Sequence, residues 1–160
     1  DWQCGTFQLD FNLAERLDAQ YVGEDGNKHH PVMIHRAILG SFERFIGILI
    51  ENYAGKLPIW LAPIQIMIMT VTDSAIEYAT EFQKKLKDNN IRAELDCRNE
   101  KIGYKIREHS NAKIQLMAVI GKEEIKNKKI SIRDLLTNET KEYSLKNSID
   151  ELKGICKEPN

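Results

Sequence analysis

An almost continuous apolar run at residues 64–71 constrains the fold of this chain more than any other feature. Its residues, Ile64-Gln65-Ile66-Met67-Ile68-Met69-Thr70-Val71, are typical of a strand that is covered on both faces of a sheet. The segment that follows has apolar residues at helical spacing along one face, namely Ala75, Tyr78, Ala79, Phe82 and Leu86. A buried strand followed by an amphipathic helix indicates an α/β fold.

The same alternation of strand and helix patterns continues towards the end of the chain. The helix that starts after Thr72 or Asp73 is predicted to end at Asn89-Asn90. Further strands are predicted at 91–97, 113–120, 129–135 and 142–145, the last two joined by a turn at 137–139, and further helices at 101–111 and 148–156. This order predicts a five-stranded, mainly parallel or mixed sheet that is flanked by helices.

The first part of the chain has a different organisation. Residues 4–13 alternate between apolar and polar side chains, which predicts a half-buried strand whose polar side faces a ligand. A polar loop at 23–30 is followed by a second short strand at 31–34. A helix is then predicted from the N-cap Ser41 to about Tyr53, with one buried face formed by Phe42, Phe45, Ile46, Leu49 and Ile50.

A glycine and a proline, Gly55 and Pro58, end this helix pattern. We therefore predict one domain at residues 1–57 and a second at residues 58–160. Because the chain opens inside a strand pattern, we expect it to be the C-terminal part of a longer protein.

The net charge of −1 conceals a strong asymmetry along the chain. Residues 98–133 contain ten Lys and Arg against four Asp and Glu, whereas the remaining residues contain 13 basic and 20 acidic side chains. A polyanionic partner would meet this one basic segment. A solvated surface would explain the same cluster of charges, so charge alone leaves both interpretations open.

The cysteines and the hydropathy pattern bear on the compartment. Cys4, Cys97 and Cys156 are odd in number and widely spaced, which favours the reducing cytoplasm. No apolar run approaches the roughly 18 residues that a membrane span requires. We therefore expect no membrane partner.

Residues 35–44 place a histidine, a glycine and an arginine within ten positions, in the order His35-Arg36-Ala37-Ile38-Leu39-Gly40-Ser41-Phe42-Glu43-Arg44. Taken alone, His35 fits a hydrogen-bonded structural residue as well as a metal ligand. Arg44 opposes the helix dipole at this position, so it either binds an anion or forms a surface pair with Glu43 or Glu51.

This segment resembles the third signature motif of class II aminoacyl-tRNA synthetases, in which a glycine precedes Glu-Arg at the start of an apolar helix. The run His35–Ser41, with its Gly40, and the upstream block Asp1–Leu13 are similar to the threonyl-tRNA synthetase family in particular. Further along, Arg98-Asn99-Glu100-Lys101-Ile102-Gly103-Tyr104-Lys105-Ile106-Arg107-Glu108-His109 resembles the junction of a strand and a helix in the anticodon-binding domain of that family.

The resemblance implies that the first domain is the end of a class II catalytic domain, with part of its antiparallel sheet and the motif 3 helix. Arg44 would then stack on the adenine of ATP and reach a phosphate, which suits a planar guanidinium. Gln3 would contact the ATP phosphates and the substrate, Thr6 would contact ATP and the substrate, and Gln8 and Ser41 would contact threonine. Gln3 and Arg44 are thus the implied catalytic residues.

The resemblance also implies a zinc ion. In the family, the histidine at the position of His35 is one of three protein ligands, which leaves the metal open to the substrate. Threonine can bind such a metal through its amino group and its hydroxyl, whereas valine has no hydroxyl to offer. The other two ligands, a cysteine and a histidine, would lie outside this chain, and we expect His29 and His30 to be exposed to solvent.

The second domain would recognise tRNA. Position by position, the resemblance places anticodon-base contacts at Asn99, Glu124 and Arg133 and a further RNA contact at Arg107. Unpaired anticodon bases offer their edges to such side chains, while lysines contact phosphates. The predicted phosphate contacts are Lys101, Lys105 and Lys113.

We therefore predict the tail of a threonine–tRNA ligase, which forms threonyl-adenylate from ATP, magnesium and L-threonine and transfers threonine to its tRNA, in a homodimer. This chain alone is not expected to activate threonine, because it lacks the first two class II motifs. An alternative is a stand-alone nucleic-acid-binding accessory protein built on an anticodon-binding domain. A related synthetase, such as prolyl, is a third. The presence of Gln3, His35 and Arg44 disfavours the accessory protein.

Overall fold

A computed structural model describes residues 2–158 of the chain. The chain divides into two compact units, Asp1–Asn52 and Tyr53–Asn160, and each is described by itself. The predicted domain boundary at 57/58 stays a prediction. Asp1, Pro159 and Asn160, which belong to the predicted domains, lie outside the described residues.

The first unit contains a small antiparallel sheet and a helix. Its elements in chain order are β1 (Thr6–Asp10), α1 (Leu13–Arg16), β2 (Tyr21–Val22), β3 (Lys28–His29), β4 (Met33–Ala37) and α2 (Phe42–Asn52). β1 pairs with β4 and β2 pairs with β3, each pair antiparallel. The loop predicted at 23–30 thus carries one strand of a short hairpin, and the short helix α1 was not predicted.

The predicted buried face of α2 is wrong in this structure. No residue of α2 is buried, and its first residue, Phe42, is 78% exposed. The apolar side of β1 is open as well, since Phe7 is 63% and nearby Phe11 67% exposed. Apolar periodicity predicts which side chains share a face, but two-stranded sheets and short helices offer too little surface to cover that face.

The second unit is an α/β sandwich. Its elements are β5 (Ile66–Thr70), a 3₁₀ turn at Asp73–Ala75, α3 (Ile76–Asp88), β6 (Ala93–Asp96), α4 (Ile102–Asn111), β7 (Leu116–Ile120), α5 (Lys122–Asn127), β8 (Lys129–Asp134), β9 (Thr140–Ser144) and α6 (Leu145–Cys156). The strand order is β6-β5-β7-β8-β9, with the first three parallel and the last two antiparallel. The predicted five-stranded mixed sheet flanked by helices is confirmed.

The central strand β5 is buried along its whole length, as the apolar run predicts. Ile66 and Ile68 belong to one core cluster, which includes Phe82 of α3 and Leu152 of α6. Met67 and Met69 belong to a second cluster, against which Ile102 and Ile106 of α4 pack. Alternate residues of a strand point to opposite faces, so helices cover both faces of the sheet.

The boundary between β9 and α6 differs from the prediction. The strand was predicted to extend to Leu145 and the helix to start at Ser148, but α6 begins at Leu145. The Ser144 hydroxyl accepts a hydrogen bond from the Asn147 N–H at 3.3 Å and so caps the helix. The short helix α5 was also missed by the sequence patterns.

We expect the Ser144→Ala variant to lose about 1 kcal/mol of the free energy of unfolding, because the first turn of α6 loses its side-chain cap. Urea denaturation measures this change. Ser74→Ala is the matched control, since the Ser74 hydroxyl contacts only the nearby Thr72 hydroxyl in the described structure. Equal losses in the two variants would contradict the capping role.

Within residues 2–158, no helix has both the length and the apolar character needed to cross a membrane.

Candidate functional site

The carboxyl ends of the three parallel strands meet at one edge of the five-stranded sheet. The loops that leave this edge comprise residues 71–75, 97–101 and 121. The Val71 N–H donates to the Ile120 carbonyl at 2.9 Å, which joins the loop after β5 to the end of β7. Between the loops after β5 and β6 lies an open depression of about 260 Å³, lined by Thr70, Val71, Thr72, Asp73, Cys97, Arg98 and Asn99. Such an edge is where ligands of open α/β sheets commonly bind.

Beneath this edge lies the ammonium group of Lys105, whose residue is 0% exposed. Its Nζ donates to the carbonyls of Thr70 at 3.0 Å and Asp96 at 3.2 Å. The Asp96 Oδ1 lies 3.7 Å away. Lys105 thus links the ends of β5 and β6 from α4, and the predicted contact of this lysine with a phosphate is wrong, because the buried group cannot reach solvent.

The carboxylate of Asp96 is the centre of a polar network. Arg98 donates to it from the backbone N–H at 3.0 Å, from Nε at 3.0 Å and from Nη2 at 2.7 Å. The His109 Nε2 lies 2.8 Å from Oδ2, the same oxygen that accepts from Arg98 Nη2. The guanidinium of Arg98 holds the pKa of Asp96 far below its ordinary value, despite burial, and His109, the Arg98 N–H and Lys105 act in the same direction.

Arg98 is also held from α4. Its Nη1 and Nη2 donate to the two carboxylate oxygens of Glu108 at 3.2 and 3.0 Å. The sequence patterns assigned no role of their own to Asp96, Arg98 or Glu108. The sequence feature that could have indicated this network is the acidic residue at the end of a strand, followed two positions later by an arginine.

The residues predicted to contact the anticodon lie in different surroundings. Asn99 is exposed at the strand-end edge, and Arg107 is exposed on α4. Glu124 is half-buried, and its carboxylate accepts from the Gly121 N–H at 2.9 Å and from the Ser131 hydroxyl at 3.2 Å. Arg133 is half-buried on β8, where its Nη2 lies 3.4 Å from Asn138 Oδ1.

Sheet register places Arg133, together with the Ser131 that bonds to Glu124, on the face that α4 covers. Arg133 pairs with Met117 and Ser131 pairs with Val119, and paired residues share a face. Met117 belongs to the core cluster against which α4 packs, and Val119 packs against the same cluster. Asn99 and Gly121 lie at the same edge of the sheet, whereas Lys113 precedes β7 and so lies at the opposite edge.

In the first unit, β1 and β4 bring Gln8 directly opposite His35. The His35 Nε2 lies 3.2 Å from the Asp10 carboxylate, an exposed contact that lowers the pKa of Asp10 less than the backbone N–H groups of Leu13 and Asn12 do. Thr6 lies on the same face of the strand as Gln8. The two predicted substrate contacts on β1 thus share a face with the predicted metal ligand.

The turn after β4 returns to the chain that precedes β1. Gly40 has φ +73°, and a Cβ at this position would lie 3.8 Å from the Cys4 carbonyl and 3.9 Å from the Arg44 side chain. The Ser41 hydroxyl accepts from the Arg44 N–H at 3.2 Å, so it forms the predicted cap bond. Ser41 and Arg44 therefore lie near the segment that contains Gln3.

The described residues do not by themselves form a metal site. Within residues 2–158, no group of three or more His, Cys, Asp or Glu side chains could hold an ion. His29 and His30 are exposed, as predicted, and contact Asp25 and the Ala19 carbonyl. His35 has its Nε2 oriented by a carboxylate, as metal-binding histidines commonly do, which leaves Nδ1 as the nitrogen able to bind a metal.

Comparison with known proteins yields two family matches. The anticodon binding domain family matches residues 65–155, and the core domain of class II tRNA synthetases for G, H, P, S and T matches residues 1–53. The first match covers more than half of the chain. The chain therefore belongs to the anticodon-binding domain family.

Individual relatives show which kind of tRNA synthetase the chain is similar to. The chain is 56% identical to a threonine–tRNA ligase of Wolbachia pipientis subsp. Culex pipiens over 97% of its own length and 24% of the relative. It is 58% identical to a threonine–tRNA ligase of Caulobacter sp. strain K31 over 92% of its length and 22% of the relative. The chain thus corresponds to the C-terminal region of threonyl-tRNA synthetases, about a quarter of their length.

A solved structure has the same fold. The crystal structure of the RNA binding domain of threonyl-tRNA synthetase from Cryptosporidium parvum Iowa II matches with a TM-score of 0.77 and 35% identity. The match covers 96% of this chain and 39% of that chain. The predicted resemblance to the threonyl-tRNA synthetase family is confirmed.

Proposed function

We propose that the parent protein is a threonine–tRNA ligase and that the second unit of this chain recognises the anticodon of its tRNA. The observation that carries the proposal is the exposed Asn99 beside an open depression, within the basic segment of residues 98–133. Unpaired bases of an anticodon loop present edges that an amide can bond, while the surrounding cations attract the phosphates.

Arg133 and Glu124 would extend this surface along β8 and α5. A guanidinium donates and a carboxylate accepts, so the two side chains together can distinguish bases by opposite hydrogen-bonding patterns. Glu124 already accepts two internal bonds, which would hold its carboxylate still while further lone pairs meet the RNA. Arg107 would contribute a contact from α4.

The first unit would contribute to amino-acid activation in the whole enzyme. In that reaction the carboxylate of threonine attacks the α-phosphate of ATP, releasing pyrophosphate and forming threonyl-adenylate. Gln3 and Thr6 would bind ATP and the substrate, and Arg44 would neutralise phosphate charge and stack on adenine. Gln8 and Ser41 would orient threonine. ATP would bind with magnesium, and the intact enzyme would act as a homodimer in the cytoplasm.

A zinc ion would select the substrate. We propose His35 as one of its three protein ligands, with the other two outside this chain. When bound, the zinc would supply a Lewis-acid contact to the amino and hydroxyl groups of threonine. Asp10 would fix the orientation of the His35 ring through the bond at Nε2.

The test of anticodon recognition uses the whole 160-residue chain and an anticodon stem-loop that pairs with threonine codons. We expect binding to weaken by about tenfold or more when the middle base of the anticodon is changed, because a mismatched base leaves polar groups unpaired. Both affinities are measured at one salt concentration, since the phosphate contribution depends on salt. Equal affinities for the two stem-loops would contradict the proposal.

We expect the Asn99→Ala variant to bind the matching stem-loop about tenfold more weakly, because the base edge loses its amide partner. Fluorescence anisotropy with a labelled stem-loop measures the change. Asn111→Ala, at the other end of α4 and also exposed, is the matched control and should bind as the unchanged chain does. A loss of affinity of the same size in the control would contradict the proposed contact between Asn99 and a base.

A further inference from the structure

The backbone of the loop at residues 97–101 must be held in place if Asn99 is to bind tightly. Asn99 lies on a connection between β6 and α4 and is exposed. An exposed side chain on a loop loses conformational entropy when it binds, so its affinity depends on how firmly the backbone is held beforehand. The residue next to it, Arg98, provides such a hold.

Arg98 donates from both its backbone and its side chain. Four of its five guanidinium N–H groups bond to carboxylates, two to Asp96 and two to Glu108. Its backbone N–H donates to the same Asp96 carboxylate at 3.0 Å. The arginine is therefore clamped between the end of β6 and the C-terminal half of α4, the two elements that the loop containing Asn99 connects.

Asp96, the partner of Arg98 at the end of β6, is held in turn. Asp96 is buried and also contacts His109 at 2.8 Å. Lys105, which is fully buried, bonds to the backbone carbonyls at the ends of β5 and β6. A shift of the loop would have to break charge-assisted hydrogen bonds, which are about twice as strong as neutral ones.

We infer that Arg98 is a positioning residue for anticodon recognition: clamped by Asp96 and Glu108, it sets the backbone of residues 97–101 so that Asn99 meets a base edge. This inference rests on the proposed function of the second unit. It differs from the simplest expectation for an arginine in a basic segment, which is direct contact with an RNA phosphate.

The two roles predict opposite effects when Glu108 is neutralised. In the Glu108→Gln variant, the amide oxygen can still accept from Arg98 but the amide nitrogen cannot, so a positioning Arg98 loses its bidentate ion pair and the loop loosens. We expect binding of the matching stem-loop to weaken about fivefold, while binding of the stem-loop with the changed middle base stays within about twofold. If Arg98 contacts phosphate, its release from Glu108 strengthens binding of both stem-loops.

The matched control is Glu81→Gln, which removes the same charge from a surface pair with Lys85 on α3. It should change both affinities by the same factor, because it weakens the long-range repulsion of RNA and its ion pair with Lys85 does not involve the loop of residues 97–101. Discrimination between the two stem-loops, expressed as the ratio of their dissociation constants, is the quantity to compare.

A second variant keeps the positive charge at position 98 but removes the planar guanidinium, which can donate to two carboxylates at once. Arg98→Lys retains the attraction to RNA but cannot bridge two carboxylates in the same geometry. We expect its discrimination to fall about fivefold, with an unchanged dependence of affinity on salt. Combined with Asn99→Ala, it should add little further loss, because both changes remove the same contact.

The outcomes separate the inference from the proposed function. If the unchanged chain does not discriminate between the stem-loops, the proposed function fails. If it discriminates and both Glu108→Gln and Arg98→Lys retain that discrimination, or if their losses add fully to that of Asn99→Ala, the positioning role is wrong. Circular dichroism of each variant, matching that of the unchanged chain, shows that the fold is intact.

Discussion

The Asp96→Asn variant is expected to lose about 3 kcal/mol of the free energy of unfolding of the second unit at neutral pH. The substitution preserves size but removes a buried negative charge that contacts Arg98, Lys105 and His109. Removal of one member of a buried ion pair commonly costs about 3–5 kcal/mol, because the remaining charge keeps its desolvation penalty. Urea denaturation measures the loss, and amide hydrogen exchange in β5 and β7 shows that it occurs in this unit.

The same carboxylate predicts how stability depends on pH. The pKa of Asp96 is lowered in the folded protein, chiefly by Arg98, so the unfolded chain binds a proton more readily. Its stabilising contribution is complete above the ordinary pKa of an aspartate, about 3.9, and is lost as the pH falls towards the lowered value. The unchanged chain should therefore lose stability below about pH 5 more steeply than Asp96→Asn does.

The control for this prediction is Asp88→Asn, at the exposed end of α3. Its free energy of unfolding should stay within about 0.5 kcal/mol of that of the unchanged chain at neutral pH. If Asp96→Asn and the unchanged chain give parallel curves from neutral to acid pH, the network does not stabilise the fold in the way that its geometry indicates.

The Phe82→Ala variant is expected to destabilise the second unit by about 3–5 kcal/mol, because it opens a cavity in a fully packed core. Phe82 is 0% exposed and lies in the core cluster between the five-stranded sheet, α3 and α6. Amide hydrogen exchange in β5 measures the effect within this unit.

Phe42→Ala makes the same chemical change on a side chain that is 78% exposed. We expect it to change the free energy of unfolding by less than about 0.5 kcal/mol. The comparison tests burial directly, since the sequence pattern assigned both phenylalanines to buried helix faces. Similar losses would indicate that the face of α2 is covered in solution.

The prediction of the second unit succeeded because its information is local. The unbroken apolar character of β5 requires that both faces of the strand be covered. The apolar residues at helical spacing around Phe82 predict α3, which covers one of these faces. Boundaries were less well predicted. The Ser144 cap and the Glu124 bond to Gly121 each begin a helix through a side-chain bond that hydrophobic spacing does not encode.

The site was predicted only in part. The likeness to a family supplied the candidate contacts Asn99, Glu124 and Arg133, and their roles in RNA binding stay predictions. Lys105 was predicted to contact an RNA phosphate because it neighbours the anticodon contacts that the resemblance implies, yet its ammonium group is buried. Its two carbonyl partners lie 35 and 9 residues away in sequence, so no local pattern could have revealed the contact.

The amino-acid sequence by itself determined the α/β class, the five-stranded sheet and the family to which this chain belongs, because apolar spacing and motif order are properties of neighbouring residues. Only the tertiary structure decided which charges are buried and which apolar faces are open. Burial depends on what the rest of the chain places against a residue, and for Asp96, Arg98 and Lys105 those partners come from separate strands and from α4.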